Sequence, residues 1–320
     1  MPSRGGVVRL CPTMDDLQRH RNPQPERLRQ RLSFEKYRTQ HAKQQHAPFP
    51  NCEGVQFMKK IAVIIPSYNN RQSHERNLSS VVAQDYHDFR VIYIDDCSSD
   101  RTGELVEQFI LDRNSGNLIH LIRNPVRIGA LQNLYNTIHR CDDDEIVILL
   151  DGDDWFAHNG VLKKVSEVYA NLGCWMTYGQ YRSWPDNMIG YSREIPSNII
   201  ETNSYRENEW CSSHLRSFYA WLFKLIKMED LISPYGAFYH MAWDQAIMFP
   251  MLEMSGHRAK FISEVLYIYN AANPLNDYKV DRSSQRSLET VIRMQKRYDR
   301  LKSAPSVKNG SKRQQIDREP

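Results

Sequence analysis

The sequence predicts an α/β chain: a mostly parallel, Rossmann-like sheet flanked by helices, with a smaller C-terminal subregion. Two observations carry this. From residue 61 to 170, apolar runs of four or five residues alternate with stretches of helical period. Three of those runs end in polar loops, and parallel sheets hold their ligands outside such strand ends.

The elements follow in order. Residues 61–65 (Ile-Ala-Val-Ile-Ile) read as a strand stopped by Pro66. Leu78, Val81 and Val82 have the spacing of an amphipathic helix. Residues 91–94 form a second strand that ends at Asp95 and Asp96. Ser99 or Asp100 can cap a helix whose buried face is Leu105, Val106, Phe109 and Ile110. A third strand covers 118–122, and Leu131, Leu134, Tyr135 and Ile138 mark the next helix. The fourth strand is 146–150; Leu162, Val165, Val168 and Tyr169 belong to the helix after it. Beyond 180 the register changes. Residues 179–212 read as a long ordered loop or a small antiparallel excursion. Helices are expected at 214–229 and 240–254, a strand at 261–269 and a last helix at 284–301.

Composition narrows the class. The chain has 320 residues, 41% of them hydrophobic, enough for one large domain or two small ones. Its apolar runs fall far short of the roughly 20 residues that span a bilayer. No secretory signal is read at the start. The six cysteines are scattered without a Cys-x-x-Cys pair, which points to reduced thiols and away from zinc. The expected location is the cytoplasm, soluble or peripheral to a membrane. The net charge of +4 is uneven: residues 1–60 carry +7 and residues 301–320 carry +3, so the middle is mildly acidic. Residues 1–58 and 303–320 offer little apolar surface and are predicted to be disordered tails. The folded domain is expected over 59–302. The basic ends lack the aromatic interleaving of a nucleic-acid surface, so nucleic acid is disfavoured as a partner.

The densest chemistry lies at Asp151-Gly152-Asp153-Asp154, directly after the fourth strand. Three carboxylates in four residues repel one another unless a cation sits among them. Oxygen donors without Cys or His suit Mg²⁺ or Mn²⁺, the usual partners of phosphates. No Gly-x-Gly-x-x-Gly follows the first strand and no P-loop occurs, which disfavours a dinucleotide dehydrogenase and a P-loop NTPase.

Four segments then resemble one family. They are Ile-Pro-Ser-Tyr-Asn at 65–69, Ile-Asp-Asp-Cys-Ser-Ser-Asp-Arg-Thr at 94–102, Asn-Pro-Val-Arg-Ile-Gly-Ala-Leu-Gln-Asn at 124–133, and Leu-Asp-Gly-Asp-Asp at 150–154. Their order and spacing are similar to those of family 2 glycosyltransferases, over about 61–270. The resemblance implies a GT-A fold, with a nucleotide-binding half at 59–180 and an acceptor-binding half at 181–302. It implies an inverting hexosyltransferase using a nucleotide-sugar donor, usually UDP-linked, and a divalent ion, Mn²⁺ or Mg²⁺. The acceptor would be a hydroxyl of a glycan, lipid or protein.

Roles carry over residue by residue. Pro66 and Tyr68 lie where the family holds the base, and Tyr68 can stack on uracil. Asp96, or else Asp95, would accept from the uracil N–H. Asp151 and Asp153 match the Asp-x-Asp pair, and Asp154 leaves the placement of that pair open. Arg127, near Gly129, lies beside the donor. Asp244 stands where the family has its general base, although Trp243 replaces the usual Glu before it. Arg216, in a His-x-Arg-x-Phe segment with His214, could clamp departing UDP. The competing readings are a nucleotidyltransferase and an inactive binding relative. The first would want a basic phosphate-gripping loop where Ser67, Tyr68, Asn69 and Asn70 stand.

Overall fold

A computed structural model describes residues 58–305, so the expected tails lie almost wholly outside the described residues. Eight strands form one sheet in the order β3-β2-β1-β4-β7-β6-β8-β5. The first four are β1 (Ile61–Ser67), β2 (Phe89–Asp95), β3 (Ile119–Arg123) and β4 (Ile146–Leu149), paired in parallel. Between and after them run α1 (His74–Val82), α2 (Thr102–Asp112), α3 (Ala130–Ile138) and α4 (Val161–Leu172). Every residue of β1 is buried, as expected of a strand covered on both faces. Its side chains alternate: Ala62 and Ile64 join the core layer under α3, while Ile61, Val63 and Ile65 join the one under α1, α2 and α4.

The second half makes the sheet mixed. Its strands are β5 (Trp155–Phe156), β6 (Met176–Trp184), β7 (Ser213–Tyr219) and β8 (Ala259–Asn270). β7 lies antiparallel between β4 and β6, β6 and β8 are parallel, and β5 is an antiparallel edge on β8. The remaining helices are α5 (Ser197–Thr202), α6 (Ala220–Lys224), α7 (Trp243–Ser255), α8 (Asp277–Val280) and α9 (Arg282–Met294). Among the described residues, no helix is long and apolar enough to cross a membrane.

Several expectations need correction. Pro66 does not stop the first strand; β1 runs through it to Ser67. The Pro66 carbonyl faces the β4 side, where Gly152 N–H donates to it at 3.2 Å. Residues 213–219 are strand, not the start of a helix over 214–229; a short α-helix covers 220–224 and a 3₁₀ turn 228–231. Of the two readings for 179–212, the antiparallel excursion is the one observed: the segment begins inside β6 and turns back as a hairpin, with Arg182 bridging Ile189, but it also holds a short helix at 197–202 that was not expected. Asp100 precedes the cap position of α2, yet its Oδ1 accepts from Thr102 N at 3.0 Å and serves the capping role. The last helix ends at Met294 and the chain continues extended.

That extended end is pinned from inside. Arg206 donates to both carboxylate oxygens of Glu253, at 2.5 and 3.0 Å, and to Ile292 O at 2.6 Å. Tyr298 N also donates to Glu253, at 2.9 Å. Both members of the pair are fully buried. Glu253 sits on α7, the helix that carries Asp244 in its first turn.

Candidate active site

The acidic turn folds over the end of β1. A Cβ on Gly152 would meet Asn70 Nδ2 at 2.6 Å and Ser67 Oγ at 2.7 Å, so only glycine lets the turn come this close. Asn77, buried on α1, holds the turn from below; its Nδ2 donates to Asp151 O at 3.0 Å and Asp154 O at 2.7 Å. We expect Gly152→Ala to cost about 1–3 kcal/mol, as overpacking does. Thermal denaturation checks this; an unchanged melting temperature would mean that Ser67 and Asn70 can give way.

The three carboxylates separate. Asp154 is buried and faces β8: Tyr267 OH donates to Oδ2 at 2.5 Å and Asn270 N donates to Oδ1 at 2.6 Å. Burial, then the charges of Asp153 and Asp151, push its carboxyl well above the usual range. Asp151 and Asp153 are half-buried. Asp153 Oδ2 accepts from Asn273 Nδ2 at 2.6 Å, and burial raises its carboxyl. Asp154 is thus the anchor, and the open side of the turn presents Asp151 and Asp153. Among the described residues, no three His, Cys, Asp or Glu side chains are arranged to hold a metal.

At the ends of β1 and β2, two loops are stitched together. Asn69 N donates to Ser98 Oγ at 2.8 Å, and Ser99 N donates to Asn69 Oδ1 at 2.9 Å. Pro66 is buried inside β1, whereas Tyr68 is half-buried beyond it. The Arg127 guanidinium lies 3.8 Å over the Tyr68 ring. Asp96 accepts from Asn124 Nδ2 at 2.8 Å, Ile128 N at 3.0 Å and Gly129 N at 2.8 Å. Burial pushes the Asp96 carboxyl up, but these donors outweigh it and hold it below the usual range. Asp95 turns the other way: a Cβ on Gly103 would meet its Oδ2 at 2.6 Å.

The third group centres on Arg216, in the middle of β7. Arg216 pairs across from Leu149, the last residue of β4, which brings its buried guanidinium beside the acidic turn. Its Nη2 donates to Asp244 Oδ2 at 3.0 Å, while its buried Nε has no partner. Burial disfavours the Arg216 charge, but Asp244 and then Asp151 more than restore it. Asp244 is the second residue of α7, whose N-terminal dipole complements a carboxylate. Its neighbourhood is not purely apolar, since Arg216 faces it. His214 stacks on Tyr267 at 4.4 Å between ring centres. Burial and the Arg216 charge hold its imidazole well below the ordinary range, so it is neutral at pH 7.

The site also uses residues the sequence reading passed over: Asn77, Tyr267, Asn270 and Asn273. Asn77 carried a signal, a polar residue beside Leu78 on the buried face of a helix. The other three carried none, because their role depends on β8 lying beside the turn.

Residues 62–232 match the Glycosyl transferase family 2 description, just over half of the chain. The chain therefore belongs to that family. One relative is the GalNAc(5)-diNAcBac-PP-undecaprenol beta-1,3-glucosyltransferase of Campylobacter jejuni, 26% identical over 36% of this chain and 37% of that protein. Another is the poly(ribitol-phosphate) beta-N-acetylglucosaminyltransferase TarP of Staphylococcus aureus, 25% identical over 81% of this chain and 77% of its own. Residues 1–349 of S. aureus TarS, solved in complex with UDP-GlcNAc, share the fold. That match has a TM-score of 0.55 and 18% identity over 73% of this chain and 65% of the other. The chain spans 58% and 37% of the first curated relatives it matches.

Proposed function

We propose that the chain is a metal-dependent inverting glycosyltransferase, moving a hexosyl group from a UDP-sugar to a hydroxyl of a glycan, lipid or protein. One observation carries the reading. Arg216 bonds Asp244 at 3.0 Å and stands opposite the last residue of β4, so a candidate base, a buried cation and the acidic turn meet at the C-terminal end of β4. Family membership and the UDP-GlcNAc complex of a protein with this fold support a nucleotide-sugar donor.

Each residue then has a task. Tyr68 and Arg127 form a stacked platform for the base, and Asp96 is the carboxylate that accepts from a ring N–H. Pro66 shapes the strand end beneath them. Asp151 and Asp153 give hard oxygens and no nitrogen or sulfur, a donor set that fits Mn²⁺ or Mg²⁺ with the diphosphate completing the shell. That ion, when bound, supplies charge to the departing diphosphate. The acceptor oxygen attacks the anomeric carbon as the bond to the diphosphate oxygen breaks. Asp244 takes the hydroxyl proton, and UDP leaves with the electron pair. Arg216 meets the charge growing on that leaving group, and its unpartnered Nε is a donor suited to the task.

Hydrolysis of a panel of nucleotide sugars with Mn²⁺ and Mg²⁺ tests the donor. Asp153→Ala should weaken Mn²⁺-dependent UDP binding on the order of 100-fold, since even outer-shell changes cost 10–100-fold. Calorimetry that finds the affinity unchanged would place the metal elsewhere.

A further inference from the structure

The hairpin that closes β6 has an unusually apolar tip. Residues 184–189 are all exposed. Trp184 is 41% exposed, Met188 63% and Ile189 53%. The tip is nonetheless ordered. Ser183 N donates to Met188 O at 2.8 Å, Gly190 N donates to Tyr181 O at 2.9 Å, and Asp186 accepts from Ser183 Oγ and Met188 N. Large apolar side chains grouped on a surface mark an interaction site.

Charge sits beside them. The exposed Arg76 guanidinium lies 4.4 Å over the Trp155 ring and 5.4 Å from the Trp184 ring. It makes no hydrogen bond or ion pair among the described residues. Stacking holds an arginine by its face and leaves its edge donors for an oxyanion. Arg182, also on the hairpin, bonds the neutral Asn187 at 3.1 Å.

We infer that this hairpin, with Arg76, docks the protein on an anionic lipid surface. Trp favours the membrane–water interface, Met and Ile enter the acyl boundary, and arginine meets lipid phosphate. A saccharide would use the flat indole but has no use for Met188 or Ile189. The patch is tied to the candidate site: Trp184 pairs with Asn270, whose N–H holds Asp154. Docking would therefore bring the acidic turn toward an acceptor carried in the membrane, a consequence that rests on the function proposed above.

Co-sedimentation of the full chain with phosphatidylglycerol and phosphatidylcholine vesicles tests it. Strong binding to the first and weak binding to the second are expected. Met188→Ser/Ile189→Ser should weaken phosphatidylglycerol binding at least about tenfold, and Arg76→Gln, separately, about fivefold. Both should keep the parent's melting temperature and UDP affinity. No vesicle binding by the parent, or equal binding by the variants, would overturn the inference, the latter placing binding at the basic ends. So would a parent dimer in lipid-free ultracentrifugation that the serine variant dissolves, because a second copy would then cover the patch. A parent that binds vesicles but not UDP would instead count against the glycosyltransferase reading alone.

Discussion

Asp244→Asn is expected to lower the rate of sugar transfer by about 10²–10⁴-fold, the usual worth of a general base. UDP affinity in the presence of Mn²⁺ should stay close to the parent's. The variant isolates the proton-accepting step, because an Asn oxygen can still accept from Arg216 Nη2, now 3.0 Å from Asp244 Oδ2. The Asp244 side chain is about a quarter exposed, so its loss of charge is partly screened. The fold should therefore survive, and Asp151 still compensates Arg216. Single-turnover kinetics with a nucleotide sugar, beside calorimetry with UDP, separates the two effects. A variant that transfers sugar near the parent rate would end the base assignment.

Arg206→Ala should produce the largest loss of stability. Both Arg206 and Glu253 are buried, and truncating one partner leaves a carboxylate without its cation. Breaking such a pair costs about 3–5 kcal/mol. For a domain of this size that is a fall in melting temperature of roughly 6–20 °C. The damage should reach the site, because Glu253 lies on the helix that begins beside Asp244. Replacing both partners with apolar residues, Arg206→Met with Glu253→Leu, should recover much of the loss, since the uncompensated charge disappears. A single variant that melts like the parent would show that water reaches Glu253 and takes over from the guanidinium.

The parallel half was legible because its signals are local. Five apolar residues in a row, then a helical period, can hardly be satisfied in another way. β7 was not legible. Leu215, Phe218 and Leu222 fall at helical spacing, so the segment reads as helix by itself. What makes it a strand is the pair of open edges it meets, β4 on one side and β6 on the other. All of 213–218 is buried between them, which erases the alternation that would have identified a strand. The final helix failed for a related reason. Residues 295–301 leave it to reach partners on α7 and elsewhere, including Tyr298 N to Glu253 and Leu301 N to Met254 O.

By itself the sequence determined the chemistry available: three carboxylates at one strand end, an aromatic at another, no Cys-x-x-Cys pair, and an acid at the start of a late helix. The tertiary structure decided which of these groups face one another. Asp154 is spent on Tyr267 and Asn270, more than 100 residues away, and Asp151 and Asp153 are what the turn presents. Asp96 rather than Asp95 faces the 124–129 loop, and Arg216 meets Asp244. The reason is physical. A residue's type fixes what bonds it can make, but a carboxylate will take any donor that packing brings within 3 Å. Only the register of distant strands chooses that donor.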